Sequence, residues 1–188
     1  MHDGALDITR GADYVTASWN VFENHDKTML IGSTNSPGTA GSATSDVGKL
    51  RVTLHHNRFT NVGQRIPRVR FGQVHVYNNL YEVTDPHQFV YSWSVGVESQ
   101  LYAHHNYFEL GSVQPDQIIY NLGGKQIYAA DNMVKNQAGS SVVDLVAAFN
   151  AVNDPDLPNT ASWTPALVAE LTPVQDVPAL VRAKAGPR

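Results

Sequence analysis

Three arginines stand close together around Pro67, in the segment QRIPRVR. Arg65, Arg68 and Arg70 are concentrated in a chain whose formal net charge is -4. A guanidinium group can pair with a carboxylate through two parallel hydrogen bonds, and it stays charged at ordinary pH. Pro67 fixes its own φ and biases Ile66 toward an extended conformation, so we expect a fairly rigid edge here. Because the rest of the chain is acidic, the arginines indicate a local binding site for an anionic ligand.

The composition of the chain limits the kinds of ligand that this site can bind. The 188 residues, 42% hydrophobic and 16% charged, can bury the core of one domain. A negative net charge argues against a nucleic-acid or membrane surface, since those partners call for a broad basic excess. The chain has no cysteine, so it can form no disulfide or thiolate metal site. No apolar run is long enough to cross a bilayer, and we expect no export signal in the start, MHDGALDITRG.

A short pattern recurs along the chain, an asparagine followed two places later by an aromatic residue or valine. The asparagines, at intervals of 22 to 37 residues, are Asn20, Asn57, Asn79, Asn106 and Asn132. Five and three places before each asparagine stands an apolar or small residue, and polar or amphipathic residues fill the places between. This period of two predicts a short strand with one buried face ahead of every asparagine.

The repeated units contain no helical segment and keep the same order of strand and turn. Parallel stacking satisfies that order, so each unit is predicted to form one coil of an all-β, right-handed parallel β-helix. Buried asparagines would then hydrogen-bond from coil to coil as turn ladders rather than bind a ligand. We predict a single domain over residues 1–188, with repeats to about 135 and a C-terminal tail over 136–188.

Two segments depart from the repeat. The stretch from Gly32 to Lys49 is rich in Gly, Ser and Thr, which predicts a surface loop. The stretch from Val177 to Ala185 has a proline near its start and Gly186 just past its end, which predicts a short amphipathic helix. We expect that helix to cover apolar surface of the solenoid.

Two adjacent histidine pairs, His55–His56 and His104–His105, raise the question of a metal site. Neighbouring residues of a strand point to opposite faces, so both members of a pair cannot easily reach one ion. The sequence therefore favours a structural role for these histidines over a zinc site.

Two segments, DGALDITRGADYVTASWNVFENHDKTMLIGS and GKLRVTLHHNRFTNVGQRIPRVRFGQVHVYNN, closely resemble the pectate lyases of polysaccharide lyase family 1. The resemblance rests on a DxxxD pair, an HDK segment and an RxPxxR segment, which occur in the family's order on successive coils. It implies a secreted, right-handed parallel β-helix that cleaves polygalacturonate by β-elimination and uses Ca²⁺.

The resemblance also assigns roles to the cations. It implies that Arg65 abstracts the C5 proton of a galacturonate, while Lys27 and Arg70 bind substrate carboxylates. Arg68 has no clear family counterpart, and we expect it to support the others through an ion pair or in the groove. An arginine side chain, with a pKa above about 12, is a poor base. We therefore expect an alkaline optimum.

Asp3 and Asp7 occupy the positions that the family uses for calcium. On a straight strand they would share one face but lie about 13 Å apart at ~3.3 Å per residue, too far for one ion. We expect Gly4 to let the chain bend. Calcium accepts roughly six to eight oxygen ligands in irregular geometry, so substrate carboxylates can join these two side chains.

Two alternatives to a pectate lyase stay open at this point. The first is a non-catalytic β-helix that binds pectin or another polyanion, and the second is a pectin lyase acting on methyl-esterified polymer. A pectin lyase has no use for calcium, so Asp3 and Asp7 favour pectate. Because the family's first coils precede the DxxxD pair, we expect this chain to be the C-terminal part of a lyase. We expect a monomer, with association through the first coil as the alternative.

Overall fold

The computed structural model describes residues 3–36, 45–166, 168 and 170–187. Within these residues, short strands pair into three sheets. Sheet 1 contains β1 (Val15–Ser18), β4 (Val52–His55), β7 (Gln73–Tyr77), β10 (Gln100–His104) and β13 (Tyr128–Ala130). Sheet 2 contains β2 (Val21–Glu23), β5 (Arg58–Thr60), β8 (Leu80–Glu82), β11 (Tyr107–Glu109), β14 (Met133–Asn136) and β15 (Gly139–Val142). Sheet 3 contains β3 (Leu30–Ile31), β6 (Arg68–Val69), β9 (Trp93–Gly96) and β12 (Ile119–Leu122).

Consecutive strands enter sheets 1, 2 and 3 in turn, so one circuit of the chain forms one coil. Neighbouring strands pair in parallel throughout, except that β15 runs antiparallel to β14. The helices are α1 (Leu145–Asn150) and α2 (Val177–Lys184), and 3-10 turns lie at Pro86–Gln88, Pro115–Gln117 and Val174–Asp176. The predicted parallel β-helix with a short C-terminal helix is confirmed. The predicted loop from Gly32 to Lys49 lies partly outside the described residues.

The strand register follows the repeat in the sequence. Val52 pairs with Val15 on one side and with Val74 on the other, and Val74 pairs with Leu101. Alternate residues such as Leu54 are also buried, and together these side chains form the interior rows of the solenoid. The period of two therefore places apolar side chains inside and leaves the other face of sheet 1 for polar and aromatic residues.

The predicted asparagine ladder is also confirmed. The Oδ1 atom of Asn57, Asn79, Asn106 and Asn132 accepts hydrogen bonds of 3.0–3.1 Å from the preceding ladder asparagine, from its backbone N–H in each case. In all four pairings the Nδ2 group donates as well. The residue just before each ladder asparagine has a positive φ, as at Asn78 and Asp131. Each ladder position therefore closes a sharp turn between sheets 1 and 2 and satisfies buried polar groups.

The aromatic residue two places after the asparagine forms a second ladder inside the solenoid. Phe22, Phe59, Tyr81 and Phe108 stack face to face, with successive ring centroids 5.1, 5.1 and 4.4 Å apart. The Tyr81 hydroxyl accepts a hydrogen bond of 3.0 Å from Trp93 Nε1, so the buried polar atom has a partner. Offset aromatic pairs contribute beyond their buried area, which strengthens the contact between coils.

The histidine pairs do not have the geometry that the sequence suggested. His56 and His105 adopt positive φ at the sharp turn instead of continuing the strand. The Nδ1 atoms of the two rings therefore lie 2.8 Å apart in the first pair and 2.9 Å apart in the second. The argument that the rings face opposite ways was wrong, since it assumed straight strands. Within the described part of the chain, no group of three or more His, Asp or Glu residues is arranged to hold a metal ion.

The C-terminal tail packs against the outside of the coils. Val177 and Val181 of α2 are buried with Leu80. Arg182 donates hydrogen bonds of 3.0 and 2.7 Å to Glu82 Oε1, and its Nη2 lies 3.0 Å from Glu109 Oε2. Burial alone would raise the pKa of Glu82, but hydrogen bonds from Arg58, Arg182 and Thr60 lower it overall. The predicted tail helix is confirmed, and charge pairing fixes it to sheet 2.

Two further features of the tail were not foreseen. Helix α1 begins after Asp144, whose carboxylate accepts hydrogen bonds from the backbone N–H groups of Val146 and Ala147. Thr172 lies against sheet 1, where its hydroxyl contacts His56 Nε2 at 2.9 Å and its backbone pairs with the Asn78 side chain. No helix in the described ranges is both long and apolar enough to cross a membrane.

Replacing Asn79 by alanine is expected to destabilise the fold. Asn79 is fully buried, and its side chain bonds Asn57, Leu54, Tyr77 and Asn106. Buried groups left unsatisfied cost about 1–3 kcal/mol each, so we expect a loss of about 3 kcal/mol or more in denaturant unfolding. The matched control is Asn136→Ala, at an exposed side chain, which should cost far less. Equal losses in the two variants would contradict a ladder that stabilises the coils.

Stability should fall with acid because of His75. Burial, followed by the charges of His104 and His55, lowers the pKa of His75 from 6.5 to about 3. The unfolded chain then binds the proton first, so the stabilisation is complete above pH 6.5 and is lost as pH falls toward about 3. In His75→Phe, the free energy of unfolding should depend less steeply on pH, by up to ~1.4 kcal/mol per pH unit. Unfolding measured between these pH values tests this, with exposed His87→Phe as the control.

Candidate active site

A row of side chains crosses the outer face of sheet 3. Leu30 pairs with Arg68, Arg68 with Ser94, and Ser94 with Tyr120. The next position along β3, β6 and β9 is buried inside the solenoid, at Ile31, Val69 and Val95. This alternation directs Arg68 outward, and we refer to the outer face of sheet 3, which extends from coil to coil, as the groove.

In the stretch that leads into sheet 3, the coil that carries the arginines has one residue more than the coil before it. Lys27 bridges Gln64, and Leu30 pairs with Arg68, so two residues on one coil face three on the next. Such an extra residue is a bulge, which redirects the side chains near it. Arg65 lies in this bulge with a φ of 60°. An arginine in the left-handed region is uncommon and is maintained by its surroundings.

Backbone hydrogen bonds hold the bulge from both sides. The Met29 N–H donates to Arg65 O at 2.8 Å, and the Ile66 N–H donates to Ser92 O at 2.8 Å. The Ile66–Pro67 peptide is cis. The expected rigid edge is therefore present, and it is bonded to the coil before and to the coil after.

Three of the sequence-predicted residues meet at one carboxylate. The Arg65 Nη1 donates a hydrogen bond of 3.2 Å to Asp3 Oδ1, and Lys27 Nζ lies 4.0 Å from the same oxygen. The Arg65 side chain is 14% exposed and that of Asp3 is 69% exposed. An ion pair with so exposed a partner is weak, so Asp3 can exchange these contacts for others.

Asp7 lies beside Gly4, where the chain bends. Gly4 has a φ of 83°, and a side chain there would collide with Asp7 Oδ2. The Asp7 Oδ1 atom accepts a hydrogen bond of 2.9 Å from the Leu30 N–H. The straight strand that would separate Asp3 and Asp7 is therefore not formed, and the bend expected at Gly4 is present. Two carboxylates at the start of the groove suit a hard cation, as part of a larger set of oxygen ligands.

Arg70 lies on the same coil as Arg65, directly after β6, whereas Arg65 precedes that strand. Its Nε donates a hydrogen bond of 2.7 Å to Asn35 Oδ1, and its Nη1 donates one of 3.0 Å to Gly32 O. Burial, followed by the charges of Arg68 and Arg65, lowers the pKa of Arg70 below its ordinary value. The Asn35 side chain and the Gly32 carbonyl thus orient Arg70, and the neighbouring arginines make its positive charge less favourable until an anion is bound.

Arg68 and Tyr91 are groove residues whose surroundings the sequence did not reveal. No described residue forms an ion pair with Arg68, and its buried Nε has no hydrogen-bond partner there. Tyr91 lies on the following coil and is 3% exposed. Burial raises the pKa of Tyr91, while the charges of Arg68 and Arg65 oppose that rise. Since coils recur at intervals of 22 to 27 residues here, coil spacing was the signal that could have located Tyr91.

The groove brings together the groups that an acidic polymer requires. Cations on successive coils can pair with a row of carboxylates, and the carboxylates near Gly4 can share a divalent ion with the ligand. The fold and the groove define a class, the parallel β-helix proteins with a cationic groove across one sheet.

Comparison with known proteins narrows that class. The sequence profile of a family described as Pectate lyase matches residues 1–159. A pectate lyase of Bacillus subtilis (strain 168) is 37% identical over 189 aligned residues. The structure of the thermostable pectate lyase PL 47 superposes with a TM-score of 0.90 at 46% identity, covering 98% of this chain and 44% of that one. A pectate lyase bound to a hexasaccharide superposes with a TM-score of 0.85 at 36% identity, covering 98% and 43%.

The chain belongs to the pectate lyase family. It aligns over 98% of its own length with the Bacillus subtilis protein but spans 41% of the length of that relative.

Gly96 is expected to be indispensable for the position of Arg70. A Cβ at this site would collide with Val69 O and lie 3.0 Å from Arg70 Cγ. Gly96→Ala should therefore destabilise the protein by about 1–3 kcal/mol, the usual cost of overpacking, and lower its melting temperature. Ser94→Ala on the same strand adds no atoms and is the control. An unchanged melting temperature in Gly96→Ala would refute the argument.

Proposed function

We propose that this protein is a pectate lyase that cleaves (1→4)-α-D-galacturonan by β-elimination and releases 4,5-unsaturated oligogalacturonides. The observation that carries the proposal is the meeting of Asp3, Lys27 and Arg65 at one point of the groove. Membership of the pectate lyase family supports the reaction class. The relative bound to a hexasaccharide supports an oligosaccharide ligand in the groove.

The reaction requires a base and a stabilised carbanion. The C5–H bond of a galacturonate breaks, its electrons form the C4–C5 double bond, and the C4–O bond breaks. The proton from C5 passes to a base, and the leaving oxygen takes up a proton. Because negative charge spreads onto the C6 carboxylate, cations placed near that group lower the barrier. In this proposal Arg65 is the base, and Lys27 and Arg70 bind the carboxylates.

The carboxylates near Gly4 have a separate role. Pectate lyases depend on calcium, and here Asp3 and Asp7 would hold the ion. When bound, calcium withdraws charge from the uronate carboxylate and so acidifies the C5 proton. Asp3 now contacts Arg65 and Lys27, so ligation would shift its contacts from these cations toward the ion.

A guanidinium acts as a base only after it loses a proton, so the proposal predicts activity in alkaline solution. A rate that rises from neutral toward alkaline pH is the expected profile. A maximum below neutral pH would exclude Arg65 as the base. Pectate lyases act outside the cell on plant cell wall polymers, and we extend that location to this protein.

The decisive assay follows the ultraviolet absorbance of the unsaturated product during incubation with polygalacturonate at alkaline pH. We expect signal with calcium, none with a chelator, and a loss of about 10²- to 10⁴-fold in Arg65→Ala, as for a general base. Arg51→Ala, on sheet 1, is the matched control and should retain the rate. Binding of polygalacturonate without product would indicate a non-catalytic polyanion binder. A higher rate on methyl-esterified polymer, without need of calcium, would indicate a pectin lyase.

A further inference from the structure

Several buried polar side-chain atoms on the coil of Arg65 and on the coil after it lack a hydrogen-bond partner. Among the described residues, Arg65 Nε, Arg68 Nε and the Tyr91 hydroxyl are buried and make no well-formed hydrogen bond. Such groups are rare in native proteins, and each calls for an explanation. Here the atoms are complementary, since the guanidinium groups donate and a tyrosine hydroxyl can accept.

The coil contacts explain why these atoms lie together. The Val90 N–H donates a hydrogen bond of 2.8 Å to Gly63 O, and the Ile66 N–H donates one of 2.8 Å to Ser92 O. Tyr91 therefore lies beside the bulge that carries Arg65. Burial raises the pKa of Tyr91, while the charges of Arg68 and Arg65 and an interaction with the Arg65 side chain oppose that rise, in keeping with a tyrosine beside the bulge.

Arg65 has another partner in this structure. Its Nη1 is bonded to Asp3, whose side chain is 69% exposed. With Nη1 bonded to Asp3, neither Arg65 Nε nor the Tyr91 hydroxyl has a well-formed hydrogen bond among the described residues. Hydrogen bonds of catalytic groups are often long in a ligand-free site and tighten when the site is filled.

We propose that Tyr91 is the positioning residue for Arg65. Once Asp3 engages another ligand, the Tyr91 hydroxyl accepts a hydrogen bond from the Arg65 guanidinium and holds that group toward the substrate. Tyr120 supports this position, because its ring stacks on Tyr91 with centroids 5.2 Å apart and planes at 9°. Tyr91 is buried and stacked on Tyr120, so its hydroxyl can accept a hydrogen bond from Arg65 when Asp3 no longer does.

The inference rests on the proposed function, so the test compares kinetics of the wild-type chain and Tyr91→Phe with calcium at alkaline pH. Loss of the hydroxyl should lower kcat roughly 10- to 100-fold, because small misplacements of a reacting group cost up to ~10²-fold. KM and the melting temperature should be unchanged. Tyr14→Phe removes the same atom from an exposed tyrosine at sheet 1 and is the matched control. An unchanged kcat in Tyr91→Phe, with an active wild type, would overturn the inference.

A second measurement does not depend on activity. Spectrophotometric titration of tyrosine ionisation should show one group moving to higher pH in Arg65→Gln, since Arg65 lowers the pKa of Tyr91. The shift must be absent when Arg65→Gln is introduced together with Tyr91→Phe. No shift in Arg65→Gln would refute the contact, even if Tyr91→Phe were unstable. An inactive wild type with the expected shift would reject the proposed function but retain the contact.

Discussion

The hydrogen bonds between ladder asparagines are the interaction on which the other contacts depend. Each asparagine from Asn57 to Asn132 accepts from the backbone of the one before, so successive turns between sheets 1 and 2 must lie directly above one another. That alignment fixes the register of all three sheets. With the register fixed, residues separated by a whole coil, such as Lys27 and Gln64, become neighbours. The groove exists because a buried amide specifies where every coil turns.

The candidate site lies where this regularity is broken. The bulge at Arg65 adds one residue between Gln64 and Arg68 relative to the coil before, and it holds an arginine at positive φ. Local departures of this kind concentrate at functional sites, because the surrounding structure must supply the energy that maintains them. Here two flanking coils supply it through backbone hydrogen bonds, and Gly96 leaves the space that Arg70 needs.

The sequence predicted the structural features that depend on periodic spacing. It did not predict features that depend on the backbone conformation of single residues. The asparagine ladder and the inward rows follow from short repeats. The histidine pairs were misjudged because the positive φ of His56 cannot be seen in a strand pattern. Helix α1 was missed, although Asp144 before an apolar run is an N-cap signal. Tyr91 was not recognised, because the arginines near it lie on another coil and are distant in the sequence. The roles of Asp3, Asp7, Lys27, Arg65 and Arg70 stay predictions that only chemistry can test.

The contacts of the C-terminal tail bear on the order in which parts of the protein fold. Ladder contacts join residues 22 to 37 positions apart, whereas Thr172 meets Asn78 across 94 positions and Arg182 meets Glu82 across 100. Contacts between distant parts of the chain form late, since closing a long loop costs entropy before any contact repays it. The coils can therefore assemble one upon another during synthesis, while the outer surfaces of sheets 1 and 2 stay open to solvent until the segment that carries Thr172 and Arg182 is made. In this solenoid, the stacking of the coils precedes the covering of their outer faces by the tail.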